Sequence, residues 1–202
     1  MRYQFLIDIY KTEITKVLSV WSMFDDADVR RRPHASDARG RNLLEHMLHQ
    51  CASEDFWFRN MLGIQVTDRA LPELETRLEF MRVYARDSAL RLAALAEKNE
   101  SWWEGEATFF DVTRTRLWVM TRRLAHTSHH RGQQSALLRM LRHDLHSTYG
   151  PTADTGGLFV NQAPTIYAYP NQAVLLAEEA DGRHKGPLPG PGNLPPTERP
   201  GS

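Results

Sequence analysis

Apolar residues recur at intervals of three and four along most of the first 142 residues. This spacing is typical of helices that bury one face against a core. The pattern predicts one helix over residues 2–23, a second over residues 43–62 and a third that begins at Leu71 and Pro72. A fourth includes the stretch Leu117–Arg142, so we expect four long helices and no strand before residue 155.

Residue types at the helix ends support these boundaries. Asn42 followed by Glu45 is a variant of the capping-box pattern, which predicts that the second helix begins there. Proline lacks the N–H group that the first turn leaves unpaired, so Pro72 suits the start of the third helix. Thr108 or Asp111 is expected to cap the fourth helix.

The character of the chain changes after the fourth helix. We expect a helical domain over residues 1–154 and an extended segment over residues 155–180, which contains Pro164 and Pro170 and packs on the helices or on a partner. Residues 181–202 are rich in proline and glycine. Such a segment buries too little apolar area to offset its ordering entropy, so we predict an irregular tail.

The chain carries 25 basic and 25 acidic residues, so its formal net charge is zero. This balance argues against a nucleic-acid partner, which would need a basic surface. Asp8 and Lys11 interrupt the apolar N-terminal stretch, and we therefore expect neither a signal peptide nor a membrane span. A single cysteine, Cys51, excludes an intrachain disulfide and favours a reducing, cytoplasmic location.

Candidate chemistry is concentrated in the fourth helix, which reads LWVMTRRLAHTSHHRGQQSALLRMLR. His126 and His130 are four residues apart, so a helix places them on one face, one turn apart. Val119 and Leu137 extend the same face with apolar side chains. Two imidazoles on such a face indicate either half of a metal site or a hydrogen-bonded pair in the core, and the spacing leaves both open.

Two further residues interrupt the helical patterns. Gly132 lies inside the fourth helix, where glycine costs about 1 kcal/mol relative to alanine, so we expect a packing or access reason for it. Glu13 breaks the apolar stripe of the first helix. It is either a carboxylate that supports a site or a residue at the edge of the stripe that reaches solvent.

The segment His126-Thr-Ser-His129-His130-Arg131-Gly132-Gln133, followed by SALLRMLR, resembles the HxxxHRGQ signature of the DinB-like proteins. RNLLEHMLHQCASEDFWF, residues 41–58, resembles the second helix of that family, and STYGPTAD, residues 147–154, resembles its segment after the fourth helix. The resemblance covers residues 1–154. It implies an all-α four-helix bundle with a C-terminal irregular or extended extension, and a metal bound by three histidines.

In the second helix of the family, the ligand is followed five residues later by a glutamate and then by aromatic residues. His49 and Glu54 match this pattern. The resemblance therefore implies the metal ligands His49, His126 and His130. His46, one turn earlier, is the alternative on the second helix. Three protein ligands leave a coordination position open for water or substrate, as catalytic sites require.

Other polar residues near these ligands have two interpretations each. Gln133 and Glu54 either hydrogen-bond a ligand imidazole and fix its tautomer, or belong to ordinary polar helix surface. His129 lies about 100° around the helix from His130 and is expected to support the site or contact a partner.

Characterised members of the DinB-like superfamily, such as bacillithiol S-transferases and mycothiol-dependent isomerases, use a metal to activate a small thiol. The resemblance therefore implies a thiol S-transferase that acts on a small electrophile. This enzyme would depend on a divalent ion, either zinc, nickel or iron. The alternatives are a metal-dependent hydrolase and a non-enzymatic, stress-associated metal-binding dimer. A homodimer is expected, with Trp102, Trp103 and residues 158–176 as its apolar surface.

Overall fold

The computed structural model describes residues 2–183 and 185–197. Four long helices dominate it, which confirms the predicted all-α bundle with an irregular C-terminal extension. Two short helices and one small hairpin complete the regular elements of the described chain. The elements are α1 Gln4–Met23, α2 Leu43–Asn60, α3 Arg77–Ala96, α4 Glu100–Glu104, β1 Glu106–Phe109, β2 Val112–Thr115, α5 Arg116–Met140 and α6 Gln172–Asp181, with 3-10 turns at Asp26–Asp28 and Phe159–Asn161.

The bundle is built around α1, which packs against both α3 and α5, while α2 packs against the same two helices. Large apolar side chains fill the space between them. Trp21 of α1 meets Tyr84 of α3 with 5.0 Å between ring centroids. Phe58 and Leu138 are fully buried. Burial of each such side chain stabilises the fold by about 1.5–3 kcal/mol. The apolar faces of the four long helices therefore stabilise their packing into a bundle.

The N-terminus of α2 has the predicted capping box. The side chain of Asn42 accepts a hydrogen bond from the Glu45 N–H at 2.9 Å, and the Asn42 N–H donates to the Glu45 carboxylate at 3.0 Å. The predicted start of the third helix at Pro72 is wrong, because α3 begins after Thr76. The Thr76 hydroxyl accepts a hydrogen bond from the Glu79 N–H at 3.3 Å, which supplies a cap that Pro72 cannot provide.

A β-hairpin precedes α5, so the prediction of no strand before residue 155 is wrong. Strands β1 and β2 are antiparallel, and Phe109 pairs with Val112. Thr108 and Asp111 belong to this hairpin and cap no helix. The cap of α5 is Thr115, whose hydroxyl accepts from the Trp118 N–H at 3.2 Å. Strands of four residues are too short to give a clear alternating pattern, which explains the error.

The segment predicted to be extended, residues 155–180, contains most of helix α6. Asn171 caps this helix by accepting from the Val174 N–H at 3.0 Å. Glu179 of α6 is buried and pairs with Arg77 of α3 at 2.6 Å, and Tyr169 donates a hydrogen bond to the same carboxylate. Buried charges are costly unless partners replace their lost hydration. The Glu179 carboxylate finds these partners only when α6 lies against the bundle, so the pair holds α6 in place.

Part of the predicted tail also lies on the bundle. The Lys185 ammonium donates to the Ser22 carbonyl, and the Gly190 N–H donates to the Asp154 carbonyl at 3.2 Å. Residues 184 and 198–202 of the predicted tail lie outside the described residues.

Trp103, which was expected on a dimer surface, is fully buried in the core. It packs on Tyr3 with 6.1 Å between ring centroids, so it stabilises the bundle itself. Within the described residues, no helix has the length and apolar character needed to cross a membrane.

Gly132 lies on an exposed part of α5, and a Cβ atom built there meets no atom within 4 Å. The described residues therefore give no packing reason for glycine. We predict that Gly132→Ala stabilises the protein by about 0.5–1 kcal/mol in denaturant unfolding, because alanine restricts the unfolded chain.

Gly63 is the matched control, since its φ of +68° disfavours any side chain. Gly63→Ala should destabilise the protein. A loss of stability in Gly132→Ala would contradict the prediction and would indicate that something packs against α5 at this position.

Candidate metal centre

Helices α2 and α5 bring three of the predicted residues together. One ring nitrogen from each of His49, His126 and His130 lies within 4.8 Å of the other two. His126 and His130 lie one turn apart on α5, and His49 faces them from α2. The ring centroid of His49 lies 5.4 Å from that of His126 and 4.6 Å from that of His130. Three neutral imidazoles in this arrangement fit a single divalent ion.

The hydrogen bonds of His130 define which of its nitrogens is free. Its Nδ1 lies 2.9 Å from Oε1 of Gln133, an oxygen that only accepts. Nδ1 therefore carries the proton, and the lone pair of Nε2 points toward His126. Of the two interpretations of Gln133, the hydrogen bond to an imidazole is the one found in the structure. This bond fixes the tautomer that a metal ligand needs.

His126 has the opposite tautomer. Its Nδ1 lies 3.3 Å from the guanidinium of Arg123, which only donates, so the proton of His126 belongs on Nε2. That nitrogen lies 3.1 Å from Nε2 of His130 and donates to it. Coordination through both Nε2 atoms would require the His126 proton to move to Nδ1. Arg123 would then turn toward Ser53, whose hydroxyl it already contacts at 3.0 Å.

Within the part of the chain that the structure describes, Glu54 hydrogen-bonds no imidazole and acts on the site through Arg123. The carboxylate is fully buried, and Arg123 of α5 donates to it at 3.3 Å. It also accepts hydrogen bonds from α1 and α3, which leaves no free oxygen toward the histidines. Its donors are Tyr10, Tyr84, Ser88, Arg91 and Arg123.

The alternative ligand, His46, is buried one turn before His49. Its ring centroid lies 5.6 Å from that of His130, but it is not part of the three-residue group. Its Nδ1 is buried without a hydrogen-bond partner among the described residues. His129 is exposed beside His130, with 5.1 Å between the ring centroids. The geometry therefore favours His49 over His46.

Burial and nearby arginines keep the three imidazoles neutral. Burial lowers the pKa of His126 to about 3, and the charge of Arg123 adds to this effect. Burial also lowers the pKa of His130 to about 4. The pKa of His49 is lowered by burial and then by Arg41. Neutral imidazole is the form that binds metal, so these pKa shifts favour the protonation state that a metal ligand needs.

Glu13 is buried, and the interpretation in which it reaches solvent is wrong. Its carboxylate pairs with Arg131 at 3.0 Å and accepts from the Ser128 hydroxyl at 3.1 Å. Arg131 follows His130 directly, so this contact ties α1 to the ligand-bearing part of α5. Sequence reasoning did not identify Arg131 as the partner, because the pairing depends on how α1 and α5 pack.

A second group of potential ligands, formed by Asp25, Asp28 and His143, lies just beyond the C-terminal end of α1. Arginines neutralise both carboxylates. Arg183 contacts Asp25 at 2.7 Å, and Arg31 contacts Asp28 at 3.0 Å. We interpret this group as an ion-pair cluster that holds the C-terminal segment, since its oxygens already have cationic partners.

An open cleft of about 710 Å³ adjoins the three histidines, and two of them, His49 and His126, form part of its wall. Aromatic side chains from α2 and the hairpin form most of the rest of the cleft wall. The helical periodicity of the sequence did not indicate that the hairpin residues or Arg122 lie at this site. The lining residues are His49, Ala52, Ser53, Phe56, Trp57, Phe109, Phe110, Arg122 and His126.

Residues 23–156, which include all three histidines, match the DinB family. The chain belongs to the DinB family. Its fold is similar to that of a DinB-like protein from Bacillus cereus ATCC 10987, whose crystal structure was determined at 2.01 Å resolution. The TM-score is 0.57 at 17% identity, over 69% of this chain and 91% of the other. A comparison with curated proteins gave no significant match.

The low pKa values predict how metal-free DinB-family protein responds to acid. Unfolded histidine takes up a proton near pH 6.5, whereas folded His130 does so only near pH 4. Between these values the unfolded state binds more protons, so stability falls as the pH falls. For His130 we expect a loss of about 2 kcal/mol by about pH 5.

Denaturant unfolding at a series of pH values measures this slope. His130→Gln should lose less stability on acidification than the wild type, whereas His34→Gln, on an exposed loop, should match it. An identical slope in wild type and His130→Gln would show that His130 is not held neutral.

Proposed function

We propose that this chain is a metal-dependent enzyme that transfers a low-molecular-weight thiol to a small electrophile. His49, His126 and His130 would hold the divalent ion, which we expect to be zinc, nickel or iron. The observation that carries the proposal is a group of three imidazole donors that borders an open cleft. Structural zinc sites usually have four protein ligands, so three donors with access to solvent favour a catalytic site.

The charge near the histidines suits an anionic sulfur nucleophile. When bound, a divalent ion would supply the positive charge that stabilises a thiolate. Arg122 lines the cleft, and Arg123 lies behind His126. Arg123 is paired with Glu54, so Arg122 is the residue that adds positive charge on the side from which a thiol would approach.

The sulfur must come from a second molecule. Cys51, the one cysteine in the sequence, is 3% exposed and lies in the core. Burial raises the pKa of its thiol, and the nearby Glu54 carboxylate raises it further. Cys51 is therefore neither accessible nor ionised. In the proposed transfer, the sulfur of the small thiol bonds to carbon, the leaving group departs with its electron pair, and the thiol proton passes to solvent.

The hydrolase alternative receives less support from the cleft. Metal-dependent hydrolases commonly use a carboxylate near the metal as a general base, and the residues that line this cleft include none. Glu54 lies on the same helix as His49, but its oxygens are taken up by buried donors. A thiol brings its own nucleophile and has less need of such a base.

The expected homodimer remains part of the proposal. Phe159, Val160 and Tyr167 are all more than half exposed, and they lie in the segment 158–176 that was predicted to offer apolar surface. Large apolar side chains exposed in this segment favour contact with another protein surface.

Metal content and thiol transfer test the proposal together. Protein purified without added metal should contain one divalent ion per chain by elemental analysis. His49→Ala, His126→Ala and His130→Ala should each lose tight metal binding, because two imidazoles hold an ion much more weakly than three. The loaded protein should accelerate the reaction of monochlorobimane with one of a set of thiols, namely cysteine, coenzyme A, glutathione, bacillithiol and mycothiol.

His34→Ala is the control for surface histidines and should keep its metal. His46→Ala tests the assignment on α2, because loss of metal there with retention in His49→Ala would make His46 the ligand. Full occupancy in the His126→Ala, His130→Ala double variant would refute the site. Metal binding without any thiol transfer would refute the transferase while leaving the metal site in place.

A further inference from the structure

The cleft beside the histidines has two aromatic walls. Phe56 and Phe110 face each other with 6.4 Å between ring centroids and an angle of 22° between the rings. Trp57 lies nearly parallel to His126, at 5.7 Å and 17°. Phe109 meets Trp57 edge to face at 5.1 Å. A flat apolar molecule in this cleft would contact ring faces from both α2 and the hairpin.

Phe110 occupies a position that favours glycine. It is the first of the two turn residues between β1 and β2, and its φ is +53°. A bulky residue is strained in this region of backbone conformation, whereas glycine adopts it freely. The ring is nevertheless 64% exposed and gains little from burial. The hairpin sets this conformation, but it does not require a bulky residue in it, and a residue kept in a strained conformation commonly marks a functional position.

The charge around the cleft is positive. Arg122 lines it and has no ion-pair partner among residues 2–183 and 185–197. Arg41 is also close enough to lower the pKa of His49, whereas the charge of Arg123 is paired with Glu54. None of the lining residues is acidic. An anionic group on the ligand would therefore find an unpaired guanidinium at the cleft wall, and guanidinium binds carboxylates through two parallel hydrogen bonds.

The size and position of the cleft fit a small ligand. Its volume of about 710 Å³ falls within the range of roughly 300–1,000 Å³ that is typical of small-molecule sites. Because His49 and His126 form part of the wall, a ligand that fills the cleft lies beside the proposed metal ligands.

We propose that this cleft binds a flat aromatic molecule that carries a carboxylate, with its ring packed against the stacked Phe56 and Phe110 and its carboxylate on Arg122. That the bound molecule is the electrophile of the reaction rests on the proposed function. That the cleft binds such a molecule requires neither a metal nor thiol transfer. In this proposal Phe110 completes the aromatic wall of the cleft, which explains why a bulky residue occupies the strained turn position.

Calorimetric titration with naphthoate, and with the uncharged naphthalene methanol as the matched ligand, tests the proposal. Naphthoate should bind metal-free and zinc-loaded protein, and more tightly than naphthalene methanol. Arg122→Gln should weaken naphthoate binding about fivefold and leave the alcohol unaffected. Phe110→Gly should weaken both ligands about tenfold. The same variant should raise the melting temperature, because glycine relieves the turn.

Phe159→Ala and Arg82→Gln make comparable changes on exposed surface elsewhere, and both should bind naphthoate like the wild type. Equal affinity for the two ligands, or affinity unchanged in Arg122→Gln and Phe110→Gly, would overturn the proposal. So would a sedimentation result in which Phe110→Gly separates a dimer into monomers, since the aromatic surface would then be covered by a second copy. Naphthoate binding with no thiol transfer by the loaded protein would refute the proposed function alone.

Discussion

The buried carboxylate of Glu54 is the interaction on which the arrangement of the bundle depends. A charge removed from water costs several kcal/mol unless partners replace the lost hydration. Glu54 lies on α2, and its donors come from α1, α3 and α5, so its charge is compensated only when all four long helices are in register. The same register places His49 opposite His126 and His130.

The connection between this carboxylate and the candidate site is Arg123. Its guanidinium spans from Glu54 to Nδ1 of His126, and it lies 5.7 Å from the ring centroid of Trp57. One buried side chain therefore orients a proposed ligand, sets its tautomer and supports the aromatic wall of the cleft. Without metal, His126 and His130 form a hydrogen-bonded pair, and the same two nitrogens would serve an ion. If the proposed metal centre is correct, the two interpretations of the HxxxH spacing describe its metal-free and metal-bound states.

The parts of the fold that follow from local chemistry were predictable from sequence. The helical stripes, the Asn42 cap and the shared face of His126 and His130 depend on residues within one or two turns. His49 needed the resemblance to DinB-like proteins, because nothing in α2 alone shows which residue faces α5. The partners of Glu13 and Glu54 depend on how helices far apart in sequence pack, which periodicity does not report.

The errors have a similar origin. The hairpin was missed because its strands have four residues each, and because Phe109, Phe110 and Val112 resemble the start of an apolar helix face. Helix α6 was missed because Pro164 and Pro170 suggested extended chain, while its stabilising contact, from Glu179 to Arg77, joins residues about 100 positions apart. Phe110 could not be recognised as strained, since its backbone conformation is set by strand pairing.

The state of the imidazole nitrogens when zinc is added to metal-free protein tests the metal centre most directly. Long-range nitrogen–proton NMR spectra of the histidine rings report which nitrogen carries the proton and which binds metal. We predict that three rings respond together, those of His49, His126 and His130, with His130 keeping its proton on Nδ1 and His126 moving its proton from Nε2 to Nδ1. A response from His46 in place of His49, or an unchanged hydrogen-bonded pair at saturating zinc, would contradict this prediction.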